Sequence, residues 1–287
     1  RDADIAMYHA KDKGKGRFEV FDSSMHKKVQ NAMLLESDIR KGIDNKEFIP
    51  YFQPIVAMSD GKIIGFEALA RWQSDKRGFV FPDDFIPLAE ETNLVMAIDL
   101  QILEKSCQQL KLWQQRLGLD HLYVSCNLSG NHFFNLSLPQ DIQTIMDKTG
   151  VQAYQVRVEL TERVLLENSD IVLDNMRTLK KMGVKILLDD FGTGYSSLSY
   201  LHRFPMDVLK IDSSFINNVH ESGNHQAIIK TIIDLAANLN MSTVGEGIEN
   251  EADAELLRNM GCVYGQGYYY YKPLPCDEIE TFLLNKV

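Results

Sequence analysis

Eight short runs rich in β-branched and aromatic residues, most of them separated by amphipathic stretches, lie between residues 48 and 271. They are FIPYFQPIVAM (48–58), KIIGFEALARW (62–72), LYVSCNLS (122–129), VRVELTE (156–162), VKILLDDF (184–191), VLKIDSSF (208–215), STVGEGI (242–248) and VYGQGYYYY (263–271). Helical spacing of apolar residues marks segments 95–117, 170–183 and 225–240, and Gly150 and Gly183 stand where helices end. Strands alternating with helices at this regularity predict an α/β fold, a TIM-like (β/α)8 barrel. Residues 29–287 come close to the ~250 residues such barrels need. Only Ser59, Asp60 and Gly61 join the first two runs, too few for a crossover helix. A hairpin is expected there, which leaves one strand antiparallel to the rest.

Side chains alternate faces along a strand. Applied run by run, this rule sends a polar group to the C-terminal end of nearly every strand. Glu67, Leu69 and Arg71 share a face, as do Ser125 with Asn127, Arg157 with Glu159, and Lys210 with Asp212. The fifth run ends in Asp189 with Asp190 at its lip, the seventh in Glu246, and the eighth carries Gln266. Any single acidic strand end reads equally well as a helix cap or a solvated turn, and Lys210 as a structural partner. Carboxylates converging from separate strands are another matter, because buried and uncompensated they would protonate. They call for cations, and a set of oxygen ligands favours hard ions such as Mg²⁺ or Mn²⁺. The C-terminal rim is also where such barrels keep their chemistry.

Charge and composition narrow the partners. A formal net charge of -10 and a pI near 5.2 argue against a DNA or RNA groove. They leave room for a small phosphorylated ligand, since bound metal reverses the local sign. The four cysteines are widely spaced without a CxxC pair, which suits buried thiols in a reducing, cytoplasmic setting. No apolar run approaches the ~18 residues of a membrane span, and no signal peptide is recognisable. Beginning at Arg1, the chain reads as a piece of a longer protein, whose membrane attachment its sequence leaves open.

FEALARW at 66–72 resembles the signature of the EAL-domain phosphodiesterases, which hydrolyse the bacterial second messenger cyclic di-GMP. It is accompanied in family order by YFQPIV, CNLS, VELTE, LLDDFGTGYSSLSYL, LKIDSSF, GEGIE and GQGYYYYKPLP. The resemblance implies hydrolysis to linear pGpG with two Mg²⁺ or Mn²⁺ ions. Glu67, Asn127, Glu159 and Asp189 match the ligands of the first ion. Asp189 bridges to the second, with Asp190 as ligand and Glu246 as ligand directly or through water. Lys210 matches the lysine that holds and activates the attacking water, and with Glu67 and Glu246 makes up the catalytic set. Gln53 and Arg71 match substrate contacts, Arg71 to a phosphate, and Asp212, Glu249 and Gln266 line the substrate site. Glu162 braces the DFGTGYSS loop, in which Gly192 and Gly194 permit sharp turns. That loop couples the site to a homodimer interface in the family. Gly245 departs from the expected alanine, a missing methyl that should loosen its strand end.

The head of the chain, DADIAMYHAKDKGKGRFEVFD, resembles the C-terminal end of a GGDEF domain, the cyclase module often fused upstream. Its usual arginine-asparagine after the glycine is replaced by KGKGRF. The organisation implied is a GGDEF remnant and linker over 1–28, then the EAL phosphodiesterase domain over 29–287, with a linker helix at about 29–42. Two further readings compete with hydrolysis. One is a receptor that holds cyclic di-GMP without cleaving it, and the other a regulatory domain working through its dimer surface. Intact metal-ligand positions weigh against the first, and Lys210 with the intact loop against the second. An unrelated barrel metalloenzyme satisfies the strand-end argument but not the motif set.

Overall fold

The computed structural model describes residues 23–167, 169–192, 201–217, 219 and 223–284. The strands are β1 (Phe48–Ala57), β2 (Ile63–Ser74), β3 (Gly78–Val80), β4 (Tyr123–Asn127), β5 (Val156–Thr161), β6 (Lys185–Phe191), β7 (Val208–Ile211), β8 (Ser242–Gly245) and β9 (Tyr264–Gly265). They run in the order β1-β9-β8-β7-β6-β5-β4-β2-β3, and pairing of β1 with β2 closes a barrel of eight. The short β3 hangs outside the ring on β2. β1 is antiparallel to β2 and β9, while the ladders from β2 round to β9 are parallel. The hairpin expected at Ser59–Gly61 is therefore present, and among the described strands of the ring it supplies the reversed one.

The helix expected at 95–117 spans Val95–Leu117, and those at 170–183 and 225–240 are found at Asp170–Met182 and Gly223–Asn238. Gly150 and Gly183 cap their helices in the left-handed conformation, with φ of 73° and 97°. Helices at Pro82–Glu91, Leu138–Thr149, Glu251–Met260 and Cys276–Leu284 complete the outer ring. The N-terminal helix, Ser23–Asp44, is longer than the linker expected at 29–42 and crosses the 28/29 boundary. Asp38 ties it to the β2–β3 turn by accepting from Lys76 Nζ at 2.9 Å and Arg77 Nε at 2.8 Å. Residues 1–22, which carry the GGDEF-like head, lie outside the described residues.

Two apolar layers hold the barrel. Between strands and helices, Trp113 meets Phe52 and Phe66 at 4.9 Å, pinning the β1–β2 pair to the long helix. Inside the ring, Ile55, Tyr123, Leu187, Val208 and Val244 form a plug toward the N-terminal end. Arg157 lies on that plug, its guanidinium carbon 3.2 Å from the centre of the Tyr123 ring. Filling the lower barrel in this way leaves the upper end for polar side chains. Among the described residues no helix is long and apolar enough to cross a membrane. Cys107, Cys126 and Cys262 are buried thiols, and Cys276 is half-buried.

Candidate active site

Parallel register sets the height of each polar side chain. Glu67 pairs with Ser125, Asn127 with Glu159, and Thr161 with Asp189, so the polar position advances by two residues from β2 to β4 and again from β5 to β6, a stagger that follows the tilt of barrel strands. Lys210, on β7, stands in the middle and is 1% exposed. Its Nζ lies 2.5 Å from Glu159 Oε2, 2.6 Å from Glu246 Oε1, 3.2 Å from Asp189 Oδ1 and 3.4 Å from Glu67 Oε1. Gln266 Nε2 donates to Glu67 Oε2 at 2.7 Å and to Gln53 Oε1 at 2.9 Å, and Asn127 Nδ2 donates to Glu67 Oε1 at 2.7 Å.

One ammonium cannot balance four carboxylates. Burial pushes the Glu159 carboxyl up to about 8, with Glu67 and Asp189 adding to the rise against Lys210. Burial likewise drives Glu246 well above the carboxylate range. Glu67 is also raised by burial, but the Lys210 charge and the hydrogen bonds from Gln266 and Asn127 outweigh it, and its pKa ends below the usual value. Burial would lower the Lys210 pKa, yet Glu159 and Glu246 hold it well above the ordinary lysine value. Glu159 Oε1 is buried with no hydrogen-bond partner. A buried acidic oxygen without a donor, in a set with surplus negative charge, suits a hard cation.

The oxygens fall into two groups. Glu67, Glu159 and Asp189 can present ligand atoms within 4.8 Å of one another, and so can Asp189, Asp190 and Glu246. Asp189 belongs to both. Strict alternation would turn Asp190 to the opposite face of β6. Instead the β6–β7 register shifts between Leu188 and Phe191, and Asp190 takes a left-handed φ of 54°. That conformation is uncommon outside glycine and concentrates at functional sites. Here it brings two successive carboxylates to one side. Burial, then the Asp189 charge, raises the Asp190 pKa.

The remaining expected residues are distributed around this centre. Gln53, Glu249 and Gln266 line an opening of about 510 Å³ with Glu67, Asp189 and Lys210. Arg71 borders an adjoining cavity of about 250 Å³ and donates to Ala70 O at 2.7 Å. Asp212 is not among the residues lining either opening. Its Oδ1 accepts from Ser214 N at 3.0 Å, capping the turn Ser213–Ile216, so the bland cap reading accounts for its contact. This cap also ends β7 at Ile211, short of the run expected to 215. Glu162 Oε2 accepts from Gly192 N at 3.4 Å, at the entrance to the expected loop, whose residues 193–200 lie outside the described residues.

Ser213, Asn217, Gly247 and Tyr268 also line the opening and were not singled out by strand alternation. Tyr268 is carried there because Gly267 crosses the chain at Ile248, where a Cβ would lie 2.1 Å from the Ile248 carbonyl oxygen. This crossing reduces the eighth run to the two residues of β9. Gly245 does not loosen its strand end as expected. The space an alanine methyl would take is occupied by Leu257, whose Cδ1 would lie 2.9 Å away.

Residues 36–273 match the family described as EAL domain. The chain is 36% identical over 277 residues to the bifunctional diguanylate cyclase/cyclic di-GMP phosphodiesterase MucR of Pseudomonas aeruginosa, covering 96% of this chain and 40% of that protein. It is 33% identical over 282 residues to the cyclic di-GMP phosphodiesterase PdeR of Escherichia coli, covering 98% of this chain and 42% of that protein. The chain thus spans less than half the length of these curated relatives. Among solved structures, the PaMucR phosphodiesterase in complex with c-di-GMP superimposes with a TM-score of 0.81 at 35% identity, covering 86% of this chain and 99% of that one.

Proposed function

The chain belongs to the EAL domain family, and from that premise we propose that it hydrolyses one phosphodiester of cyclic di-GMP to linear pGpG. The observation that carries this reading is the pair of oxygen groups sharing Asp189 above a buried lysine. Glu67, Asn127, Glu159 and Asp189 would hold one Mg²⁺ or Mn²⁺, and Asp189, Asp190 and Glu246 a second. Such ions lower the pKa of a bound water and neutralise charge on the phosphoryl oxygens in the transition state. Lys210 places a fixed cation among these oxygens, where it favours the anionic form of the attacking water and orients it. Arg71 offers a planar pair of donors to a phosphate. Gln266 holds Glu67 and Gln53 in one network, so the floor of the opening is set before substrate arrives.

The match to bifunctional MucR and the GGDEF-like head support an upstream GGDEF domain before residue 29. The Glu162–Gly192 bond supports a braced loop of the kind that joins site to dimer interface in the family. The test is to incubate the protein with cyclic di-GMP and Mg²⁺ or Mn²⁺, with a chelator control, and to separate the nucleotides. Metal-dependent appearance of pGpG is the expected result. Tight binding without product under every metal condition would transfer the assignment to a non-catalytic receptor.

A further inference from the structure

β1 and β2, at 10 and 12 residues, outlast the other barrel strands, and β3 extends them beyond the rim. In their register Glu67 faces Gln53, Leu69 faces Tyr51, Arg71 faces Ile49, and Gln73 faces Phe79. By alternation these residues share the inner face, rising in that order from the acidic centre. The upper part of this wall is aromatic. Tyr51 and Phe79 have ring centres 5.6 Å apart, Phe79 and Phe81 5.2 Å apart. The Arg71 guanidinium carbon lies 5.4 Å from the Tyr51 ring centre and 6.0 Å from that of Phe81.

Phe81 is held by Phe79 and Arg71 but is no core residue. It is 57% exposed, so it contributes little to the core. It is also the N-cap of the helix Pro82–Glu91, and its side chain makes no capping bond. Serine, threonine, aspartate or asparagine would serve there. Pro82 holds Phe81 extended, at φ -81° and ψ 156°, so the ring is displayed on a stiff backbone. Phe79 beside it is 38% exposed. An exposed pair of rings, one of them against the arginine that borders the cavity beside the opening, matches a flat heterocycle joined to a phosphate.

Building on the function proposed above, we infer that Phe81 and Phe79 form a stacking platform for one purine base of the cyclic dinucleotide, next to the phosphate held by Arg71. The occupant is a base rather than a peptide side chain because the same wall supplies the cation its neighbouring phosphate needs.

Steady-state kinetics on three variants tests the platform. F81S should raise KM for cyclic di-GMP roughly 5- to 100-fold, the range of one lost base–aromatic stack, with kcat changed little. Its thermal midpoint should change little, because a serine cap offsets the lost contacts to Phe79 and Arg71. F81Y should retain the wild-type KM, and F81L, apolar but without a π face, should behave like F81S. A wild-type KM in F81S and F81L, or a fall in kcat alone, would overturn the platform and leave the phosphodiesterase reading standing. An F81Y as weak as F81S would overturn it as well. Wild-type protein that neither binds nor cleaves cyclic di-GMP would overturn both.

Discussion

The two ends of the barrel solve opposite charge problems with the same kinds of residue. At the C-terminal end one lysine, Lys210, faces Glu67, Glu159, Asp189 and Glu246. At the N-terminal end one aspartate, Asp207, faces two lysines, with Oδ1 2.5 Å from Lys180 Nζ and 2.9 Å from Lys185 Nζ. Asp207 Oδ2 also accepts from Ile186 N, and its own main chain bonds Ile186 O and Ser242 N, so it stitches the starts of β6, β7 and β8. Burial would raise its carboxyl, but hydrogen bonds from Lys180, Ile186 N and Lys185 hold it below the usual range. The lower end is a closed structural cluster. The upper end has acids to spare, arranged in groups that could hold cations.

The largest expected effect breaks the upper end. Glu67→Ala removes the acid that Asn127, Gln266 and Lys210 all hold. Turnover of cyclic di-GMP should drop by ~10³-fold or more, measured as pGpG formed, with the circular dichroism of the barrel intact. Near-normal hydrolysis would remove the upper cluster from the chemistry. Lys210→Ala comes next, with turnover down by ~10²-fold. It should also cost ~3–5 kcal/mol of stability in chelator, as expected for a broken buried ion pair. Mg²⁺ should restore most of that stability by replacing the missing charge. A loss that Mg²⁺ leaves untouched would mean the carboxylates do not gather metal.

How far this contrast is legible without coordinates depends on the residue. Glu67, Glu159 and Lys210 lie in regular strands, so alternation alone sends them to one end. Asp190 does not follow the rule, because its left-handed backbone defeats it, and only the family resemblance places it beside Asp189. Asp212 carries a contact that alternation does not contain, since the rule pairs it with Lys210 and its carboxylate also caps a helix, while its charge still reaches Asp190. The Phe-Phe-Asn at 133–135 has no pattern to read either. Asn175 Nδ2 bonds the carbonyls of Phe133 and Asn135, a contact across 40 and more residues that no local rule contains. Asp207 is equally silent in sequence, as its partners come from another strand and a helix.

Asp207→Asn addresses the lower end. Losing the charge while keeping the shape should cost ~2 kcal/mol in urea unfolding, with turnover unchanged within about two-fold. The pH dependence has a defined sign. Because the folded carboxyl lies below its unfolded value of ~3.9, its stabilisation is present above that pH and is lost as pH falls through the folded value. The gap between wild type and D207N should therefore be full near neutrality and close in acid. A gap that widens in acid would mean the lysines are not what Asp207 serves, and a tenfold loss of turnover would mean the two ends are not independent.

The smallest effect is expected from Gly245→Ala, at the strand end that presents Glu246. The added methyl would meet Leu257 Cδ1 at 2.9 Å, Ile216 Cδ1 at 3.5 Å and Cys262 Sγ at 3.7 Å. All three are side-chain atoms, and the closest is the end of a leucine. A shift of that one methyl relieves the overlap without moving β8, so the stability change should stay within ~1 kcal/mol. Turnover should stay within a few-fold, because Ile211 O fixes the Glu246 main chain through a hydrogen bond from Glu246 N at 3.1 Å. If G245A instead lost turnover at unchanged stability, the methyl would have displaced Glu246 rather than Leu257. The charge excess of the upper end would then depend on packing behind the strand as well as on the acids in front of it.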